Sequence, residues 1–260
     1  MNRSTLALQV AVLARRSVVR TMRQPAMVIP SLVFPLLLLA INSSGLDSAT
    51  RLPGFPTDSY LQFALAIPFV QGALFSANSA GTNVANDIES GFLNRLALTP
   101  LRRVALMMGQ LAGILALGLI QAITFVVIGV AFGSGIAAGV AGALVIVALS
   151  LVISLGFGLI GAFVALRTGT GEAVQGVFPL FFAALFLSSM ALPRNLIETD
   201  WFRTVATWNP VSYMLEAIRS LVITGWDGEA LALGFACAGG LALVALLAAS
   251  SALRTQMLRT

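Results

Sequence analysis

Six apolar segments, each long enough to cross a lipid bilayer, occupy most of the 260 residues. About 20 apolar residues span the hydrocarbon core as a helix. Charged residues form only 10% of the chain and the mean hydropathy is +0.95, which excludes a water-soluble domain of this size. The sequence therefore predicts an all-α, polytopic membrane protein with six transmembrane helices at 26–42, 60–82, 104–132, 139–166, 173–192 and 230–253.

The charges between these spans are sorted by side. An even number of spans places both termini on one side, and basic residues in short loops are retained in the cytoplasm. The side that carries the termini holds eleven arginines and three acidic residues, whereas the other side holds four arginines and seven acidic residues. We therefore predict a multi-pass protein of the cytoplasmic (inner or plasma) membrane with both termini in the cytoplasm.

Three regions follow from this topology. Residues 1–25 form a cytoplasmic amphipathic helix, 26–253 the six-helix transmembrane domain, and 254–260 a short cytoplasmic tail. Arg16, Arg20 and Arg23 would form one basic stripe on the first helix, which either topology anchoring or a partner contact explains. The overall basic charge is assigned to membrane lipids rather than to nucleic acid.

The missing residue types narrow the chemistry. All fifteen basic residues are arginine, so the chain lacks the lysine of a P-loop, and it has no histidine for acid–base catalysis or metal binding. The lone Cys237 lies within the last span and is assigned to packing. We predict no catalytic residue, no metal site and no cofactor on this chain, which would not be an enzyme by itself.

The sequence fits two other function classes and one nucleotide-binding motif poorly. An ion-coupled carrier or channel is disfavoured because the central turns of the spans carry no carboxylate, and a lipid-modifying enzyme lacks a cluster of reactive groups. Gly156, Gly158 and Gly161 spell G-x-G-x-x-G, but the motif lies inside an apolar span rather than after a strand. These small residues, like Gly109 and Gly113, instead predict close helix packing.

Two loops carry distinctive sequence. Residues 83–103 predict a short cytoplasmic helix that ends at Thr99-Pro100, with Phe92 and Leu96 on one face. Exposed apolar residues favour a docking element over a solvated loop. On the outer side, 208–224 are amphipathic and predict a re-entrant or interfacial helix hairpin before the last span.

Four short motifs occur in order along nearly the whole chain: Arg23-Gln24-Pro25 before the first span; Glu89-Ser90-Gly91, Arg95-Leu96, Thr99-Pro100 and Arg103 after the second; residues 188–193 at the exit of the fifth; and Asn209-Pro210, Tyr213, Glu216 and Arg219 in the outer helix. Together they resemble the membrane subunit of type 2 ABC exporters, the ABC-2 group that contains daunorubicin-resistance permeases.

The resemblance implies that ATP hydrolysis takes place on other subunits. In this family two six-helix subunits, identical or paralogous, meet around a pathway, and two cytoplasmic P-loop ATPase subunits, which bind ATP and Mg, dock on the loop after the second span. The implied coupling residues are Asp87, Glu89, Gly91, Phe92, Leu93, Arg95, Leu96, Thr99 and Arg103. Helix capping and lipid anchoring are the alternative explanation, above all for Arg102 and Arg103.

The resemblance also implies a pathway lined by spans two and five. Its residues would be Gln71, Phe75, Asn78, Phe178, Phe181, Phe182 and Phe186, and the outer re-entrant helix would present Asn209, Pro210, Tyr213, Glu216 and Arg219. Sixteen phenylalanines but only two tyrosines favour a hydrophobic or amphipathic cargo, a drug or a lipid. Export of a polysaccharide or glycolipid is the alternative.

Overall fold

The computed structural model describes residues 3–92, 95 and 103–259, and the regular elements in those ranges are all helical. The helices are α1 (Arg3–Met22), α2 (Pro25–Gly45), α3 (Tyr60–Ala64), α4 (Ala66–Glu89), α5 (Arg103–Ala131), α6 (Gly139–Thr168), α7 (Gly171–Phe186), α8 (Asp200–Trp208), α9 (Pro210–Ile223) and α10 (Gly228–Arg259). Short 3₁₀ turns occupy Asp47–Arg51 and Arg194–Leu196. The all-α prediction is confirmed for these ranges.

Within the described ranges, five helices are long and apolar enough to cross a membrane: Pro25–Gly45, Tyr60–Glu89, Val104–Ala131, Gly139–Thr168 and Gly228–Gln256. They coincide with five of the six predicted spans, so the chain is a multi-pass membrane protein. The predicted fifth span, 173–192, instead forms the 16-residue α7, which is shorter than a bilayer-spanning helix. The count of six spans is not confirmed.

The early end of α7 has a structural cause. The side-chain amide of Asn209 donates hydrogen bonds to the carbonyls of Ala184 (2.6 Å) and Leu187 (3.0 Å). The Ser189 N–H donates to the Ser212 hydroxyl at 3.0 Å. These bonds provide partners for backbone groups that a helix end leaves free. Residues 187–193 can therefore leave the helix, although they are apolar enough to extend it.

The break between α3 and α4 also has a local cause. Pro68 has no backbone N–H, so the carbonyl of Ala64, four residues earlier, cannot receive its helical hydrogen bond. The Leu65 N–H still donates to the Leu61 carbonyl at 2.9 Å, so the interruption is confined to the Ala64 carbonyl. The second predicted span is thus one membrane-length segment made of two helices.

Helix α4 forms the centre of the bundle and is buried along most of its length, whereas only a small share of the residues of α2 and α10 is buried. Helix α4 crosses α6 at a very short distance. A Cβ atom added to Gly161 would collide with the carbonyl oxygen of Ala77, and one added to Gly81 would lie 2.8 Å from the Gly161 carbonyl oxygen. Glycine is required at this crossing, so the third glycine of the G-x-G-x-x-G sequence serves helix packing.

Helix α1 packs along α5 over the predicted pair of small residues. A Cβ atom on Gly109 would lie 2.8 Å from the Leu13 Cβ, and one on Gly113 would collide with the Ser17 hydroxyl. The prediction of close helix approach is confirmed here within one subunit. The N-terminal helix is therefore docked on the bundle, and Leu8 and Val12 remain exposed on its opposite face.

Candidate functional site

Asp87 lies near the end of α4 and holds α1 against it. The Asp87 side chain is 4% exposed, and both of its oxygens face the guanidinium of Arg16, at 2.8 and 3.2 Å. Arg20, one turn further along α1, donates to Oδ1 of the same carboxylate at 2.8 Å. The Arg16 guanidinium also stacks on the Phe92 ring, 3.9 Å from its centroid. We call Arg16, Arg20, Asp87 and Phe92 the α1 clamp.

This arrangement revises the predicted loop. Residues 83–89 continue α4 and are not part of a separate loop helix, so Asp87 is a buried residue of the central helix. Helix α4 ends at Glu89. Gly91, two residues further on, has a φ of +67°, a left-handed conformation that favours glycine, and its N–H donates to the carbonyl of Ile88 at 2.9 Å. Glu89, by contrast, is exposed.

Of the other predicted coupling residues, some lie within the described part of the chain and some outside it. Phe92 is half-buried, and Arg95 is exposed and donates to the Ser90 carbonyl at 3.3 Å. Arg103 begins α5. The predictions for Leu93, Leu96 and Thr99 lie outside the described residues. The surface at this end of the bundle therefore presents Glu89 and Arg95 beside the α1 clamp.

Four of the seven predicted pathway residues meet in one cleft. Phe75 of α4 lies 5.4 Å from Phe178 of α7, which lies 5.2 Å from Phe182, with ring planes at steep angles. Phe186 continues the row at 6.3 Å from Phe182. The cleft has a volume of about 660 Å³ and an apolar lining. We call it the aromatic cleft.

Helix α2 supplies the opposite wall of the aromatic cleft. The ring of Phe34 lies 5.9 Å from Phe75 and 6.0 Å from Phe182. Sequence reasoning missed Phe34, because only its apolar character was visible in the first span. Phe181 was predicted for the pathway but turns to the other side of α7, where it packs 5.8 Å from Phe157 of α6.

The two polar pathway residues lie on the same face of α4 as Phe75. Gln71, Phe75, Asn78 and Thr82 are spaced by four, three and four residues, which places them in one row along a helix. Among the described residues, Gln71 Oε1, Asn78 Oδ1 and Thr82 Oγ1 are buried and have no hydrogen-bond partner. Gln71 and Asn78 do not line the aromatic cleft itself. Buried polar atoms without partners are rare and costly.

The predicted outer helix forms α9 but is packed into the bundle instead of lying flat on it. Met214, Leu215 and Ile218 are fully buried. Asn209 caps the helix by accepting from the Val211 N–H at 3.0 Å, and Pro210 occupies the first turn, where no N–H is needed. Tyr213 donates its hydroxyl to the Thr207 carbonyl at 2.9 Å.

Glu216 and Arg219, three residues apart, each have a different principal partner. Glu216 binds Arg194, with 2.6 Å between Oε2 and Nη2, and the Arg194 guanidinium lies 4.5 Å above the Tyr213 ring. Burial lowers the pKa of Arg194, but Glu216 and Tyr213 outweigh that effect and raise it above the usual value. Arg194 is absent from the predicted site because its partner Glu216 lies 22 residues away and the pairing cannot be read from the sequence.

Arg219 is a buried cation held by the backbone. It is 5% exposed and donates to the carbonyls of Phe63 (2.9 Å), Ser189 (2.5 Å) and Met190 (2.6 Å). Its guanidinium lies 3.6 Å from the centroid of the Phe63 ring. Burial lowers the pKa of Arg219 to about 9, against the raising effects of Glu216 and Tyr60, so the guanidinium stays charged at neutral pH.

Residues 8–223 match the model of the ABC-2 type transporter family. The chain belongs to the ABC-2 type transporter family. The predicted resemblance is thereby confirmed over most of the sequence. Membership identifies the chain as the membrane subunit of an ABC transporter, a class of transporter that works with an ATPase partner.

Named relatives of this ABC-2 family protein are permeases. It is 27% identical over 222 residues to a putative transport permease, ycf38, of Porphyra purpurea, an alignment that covers 84% of this chain and 76% of the relative. The corresponding protein of Cyanophora paradoxa is 27% identical over 212 residues, covering 81% and 72%. A probable doxorubicin resistance ABC transporter permease, DrrC, of Mycobacterium tuberculosis is 25% identical over 217 residues, covering 81% and 75%.

Proposed function

We propose that this ABC-2 family chain is the permease of an exporter that moves a hydrophobic or amphipathic compound, a drug or a lipid, out across the cytoplasmic membrane. Two copies of a separate P-loop ATPase bind and hydrolyse ATP with Mg on the cytoplasmic side. A second copy of the chain, or a paralogue, completes the pathway. Both termini are cytoplasmic in this proposal, in agreement with the distribution of arginines.

The aromatic cleft is the observation that carries the cargo proposal. Rings from α2, α4 and α7 line it, and an apolar compound would replace lipid there without losing hydrogen bonds. The row of unpaired oxygens on Gln71, Asn78 and Thr82 lies on the same face of α4 as Phe75. These oxygens are buried outside the lining of the aromatic cleft, so the apolar lining alone carries the cargo proposal.

The coupling proposal rests on the other end of α4. Glu89 and Arg95 are exposed there and offer both charge signs to a docking ATPase. The α1 clamp lies directly beside them, so a force applied at this surface would act on α1 and α4 together. In the proposed cycle, ATP-driven closure of the two ATPase subunits moves this end of α4 and changes the width of the aromatic cleft.

The chain and its ATPase, co-purified from native membranes and reconstituted in vesicles, would test this proposal. ATP-dependent accumulation of a fluorescent amphipathic drug or a fluorescent lipid is measured together with ATP hydrolysis. We expect Glu89→Ala and Phe92→Ala to abolish transport while the chain still inserts. Glu172→Ala, an exposed acid in the first turn of α7, is the matched control.

The outcomes separate the parts of the proposal. If both variants transport as well as the unmodified chain, the coupling surface is wrong. If the preparation contains this chain alone and is silent with ATP, under conditions that preserve other ABC complexes, an ATP-independent carrier is favoured. Transport of neither class of compound by an otherwise ATP-coupled complex would refute the cargo assignment.

A further inference from the structure

A second cavity lies at the end of the bundle opposite the α1 clamp. It has a volume of about 410 Å³ and lies between the 3₁₀ turn at Arg194–Leu196, helix α9 and the start of α10. Its polar lining residues are Arg194, Asn195, Glu216, Arg219, Ser220, Thr224 and Asp227. We call it the Arg219 cavity. Nothing in the proposed transport cycle uses it.

The two carboxylates that line the Arg219 cavity are engaged by groups other than Arg219. Glu216 is engaged with Arg194 at 2.6 Å. Asp227 accepts hydrogen bonds from the N–H groups of Glu229 (3.0 Å) and Ala230 (3.1 Å), so its carboxylate caps α10. Among the described residues, Arg219 has no carboxylate within ion-pair distance. The cavity thus holds two guanidinium groups and two carboxylates, and neither carboxylate lies within ion-pair distance of Arg219.

Arg219 has hydrogen-bonding capacity left. A guanidinium carries five N–H groups, and three of those in Arg219 donate to main-chain carbonyls. Carbonyl dipoles and the Phe63 ring solvate the cation but do not neutralise it. A cation that is 5% exposed normally has an anionic partner, because its transfer out of water is costly. An anion would accept hydrogen bonds from the two remaining N–H groups of Arg219 and would neutralise its charge.

Three tryptophans indicate the depth of this cavity in the membrane. Trp201, Trp208 and Trp226 are 63%, 85% and 59% exposed, and they are all the tryptophans of the chain. Exposed tryptophans concentrate at the level of lipid headgroups. Trp226 immediately precedes Asp227 of the cavity wall. The Arg219 cavity is thus at the level where phosphate groups of phospholipids are most abundant.

We propose that the Arg219 cavity binds a phosphate oxyanion, which pairs with Arg194 and Arg219. The headgroup of a phospholipid and free inorganic phosphate share this chemistry, and the depth of the cavity favours the headgroup. The fork of a guanidinium matches two oxygens of a phosphate group. A bound headgroup would join α9 to the turn at Arg194 and stabilise the re-entrant region in the membrane.

The purified full-length chain, stripped of native lipid in detergent, provides the test. Binding is measured by native mass spectrometry and by thermal shift with three probes: dihexanoyl phosphatidylglycerol, inorganic phosphate and dioctanoylglycerol, which has no phosphate. We expect the phospholipid to bind at least about tenfold more tightly than dioctanoylglycerol, because charge-assisted hydrogen bonds to phosphate are strong. Equal binding of these two lipids would overturn the proposal.

Two substitutions with opposite expected effects distinguish a phosphate site from a purely structural cluster. Arg194→Gln should weaken phospholipid binding about tenfold. Glu216→Gln should strengthen it, because it removes the carboxylate that competes for Arg194. Arg203→Gln is the matched control, since Arg203 is an exposed arginine of α8 that pairs with Asp200 outside the cavity.

Each remaining result has a defined meaning. Weaker binding in both cavity variants, or equal weakening in the Arg203→Gln control, would refute the site. If inorganic phosphate binds and the phospholipid does not, the oxyanion site stands and the lipid source is wrong. Since none of these measurements involves ATP or transport, failure here leaves the proposed exporter function untouched.

Discussion

Replacement of Asp87 by asparagine should release α1 from the bundle. Asp87 is the shared partner of Arg16 and Arg20, and asparagine has nearly the same shape but no charge. Removing one member of a buried ion pair costs about 3–5 kcal/mol, whereas an exposed pair contributes about 0.2–1 kcal/mol. The arginine side chains are 39% and 23% exposed and the Asp87 side chain 4%, so an intermediate value applies. We expect a loss of about 2 kcal/mol in the docking free energy of α1.

Such a loss corresponds to a roughly 30-fold increase in the undocked population of α1. Hydrogen exchange of the chain in nanodiscs, followed by mass spectrometry, measures this population through the amides of α1. We expect faster exchange in α1 of Asp87→Asn and unchanged exchange in α4 and α6. Glu89→Gln is the matched control, because Glu89 is an exposed acid two residues further on.

Two results would refute this reasoning. Unchanged exchange in α1 would mean that packing on Gly109 and Gly113 holds the helix without the ion pairs. Faster exchange throughout α4 and α6 would mean that Asp87 supports the whole bundle. Adding Arg16→Gln to Asp87→Asn should cost less than the sum of the two single changes, because both remove the same interaction.

Three further changes test the packing and the cleft. Gly161→Ala should lower the free energy of unfolding by about 1–3 kcal/mol through overpacking, measured by thermal unfolding, whereas Gly176→Ala, where a Cβ would meet no neighbour, should not. Asn209→Ala should cost about 1–2 kcal/mol because the α9 cap and the partner of the α7 carbonyls are both lost, and an unchanged melting temperature would contradict that role. Phe182→Ala should mainly reduce transport of apolar cargo, with a smaller effect on the melting temperature. Phe181→Ala, which removes a contact with α6, should mainly lower the melting temperature, with a smaller effect on transport.

The helical architecture could be predicted because it depends on local properties of the sequence. Long apolar segments must form helices in lipid, and proline, glycine and charge mark where they end. The structure agrees to within a few residues for α2, α5 and α6. The prediction failed at residues 187–192, which are apolar like the rest of the fifth span. Their conformation is set by Asn209 and Ser212, more than twenty residues away.

Individual residues of the candidate sites could be singled out from the sequence, but the groups that they contact could not. Asp87, Glu216 and Arg219 were identified, whereas their contacts with Arg20, Arg194 and the Phe63 carbonyl join elements far apart in sequence. One signal was available for the α1 clamp. Arg16 and Arg20 form an i, i+4 pair, and only three acidic residues lie on the predicted cytoplasmic side, so Asp87 was one of few possible partners.

Helix α4 runs from the α1 clamp past the aromatic cleft to α3, whose Phe63 binds Arg219, and its packing limits how it can move. At the glycine crossing the backbones of α4 and α6 are in direct contact, with no side chain between them that could rearrange. The two helices should therefore move as one body. At the far end, Arg219 holds the Phe63 carbonyl of α3, and the next carbonyl, that of Ala64, has no helical donor because residue 68 is proline. A displacement imposed at the α1 clamp should therefore pivot α4 about the α3–α4 junction at Ala64. The aromatic cleft, on the side of α4 away from α6, is where that pivot would change the distance between helices, which is the change that alternating access requires.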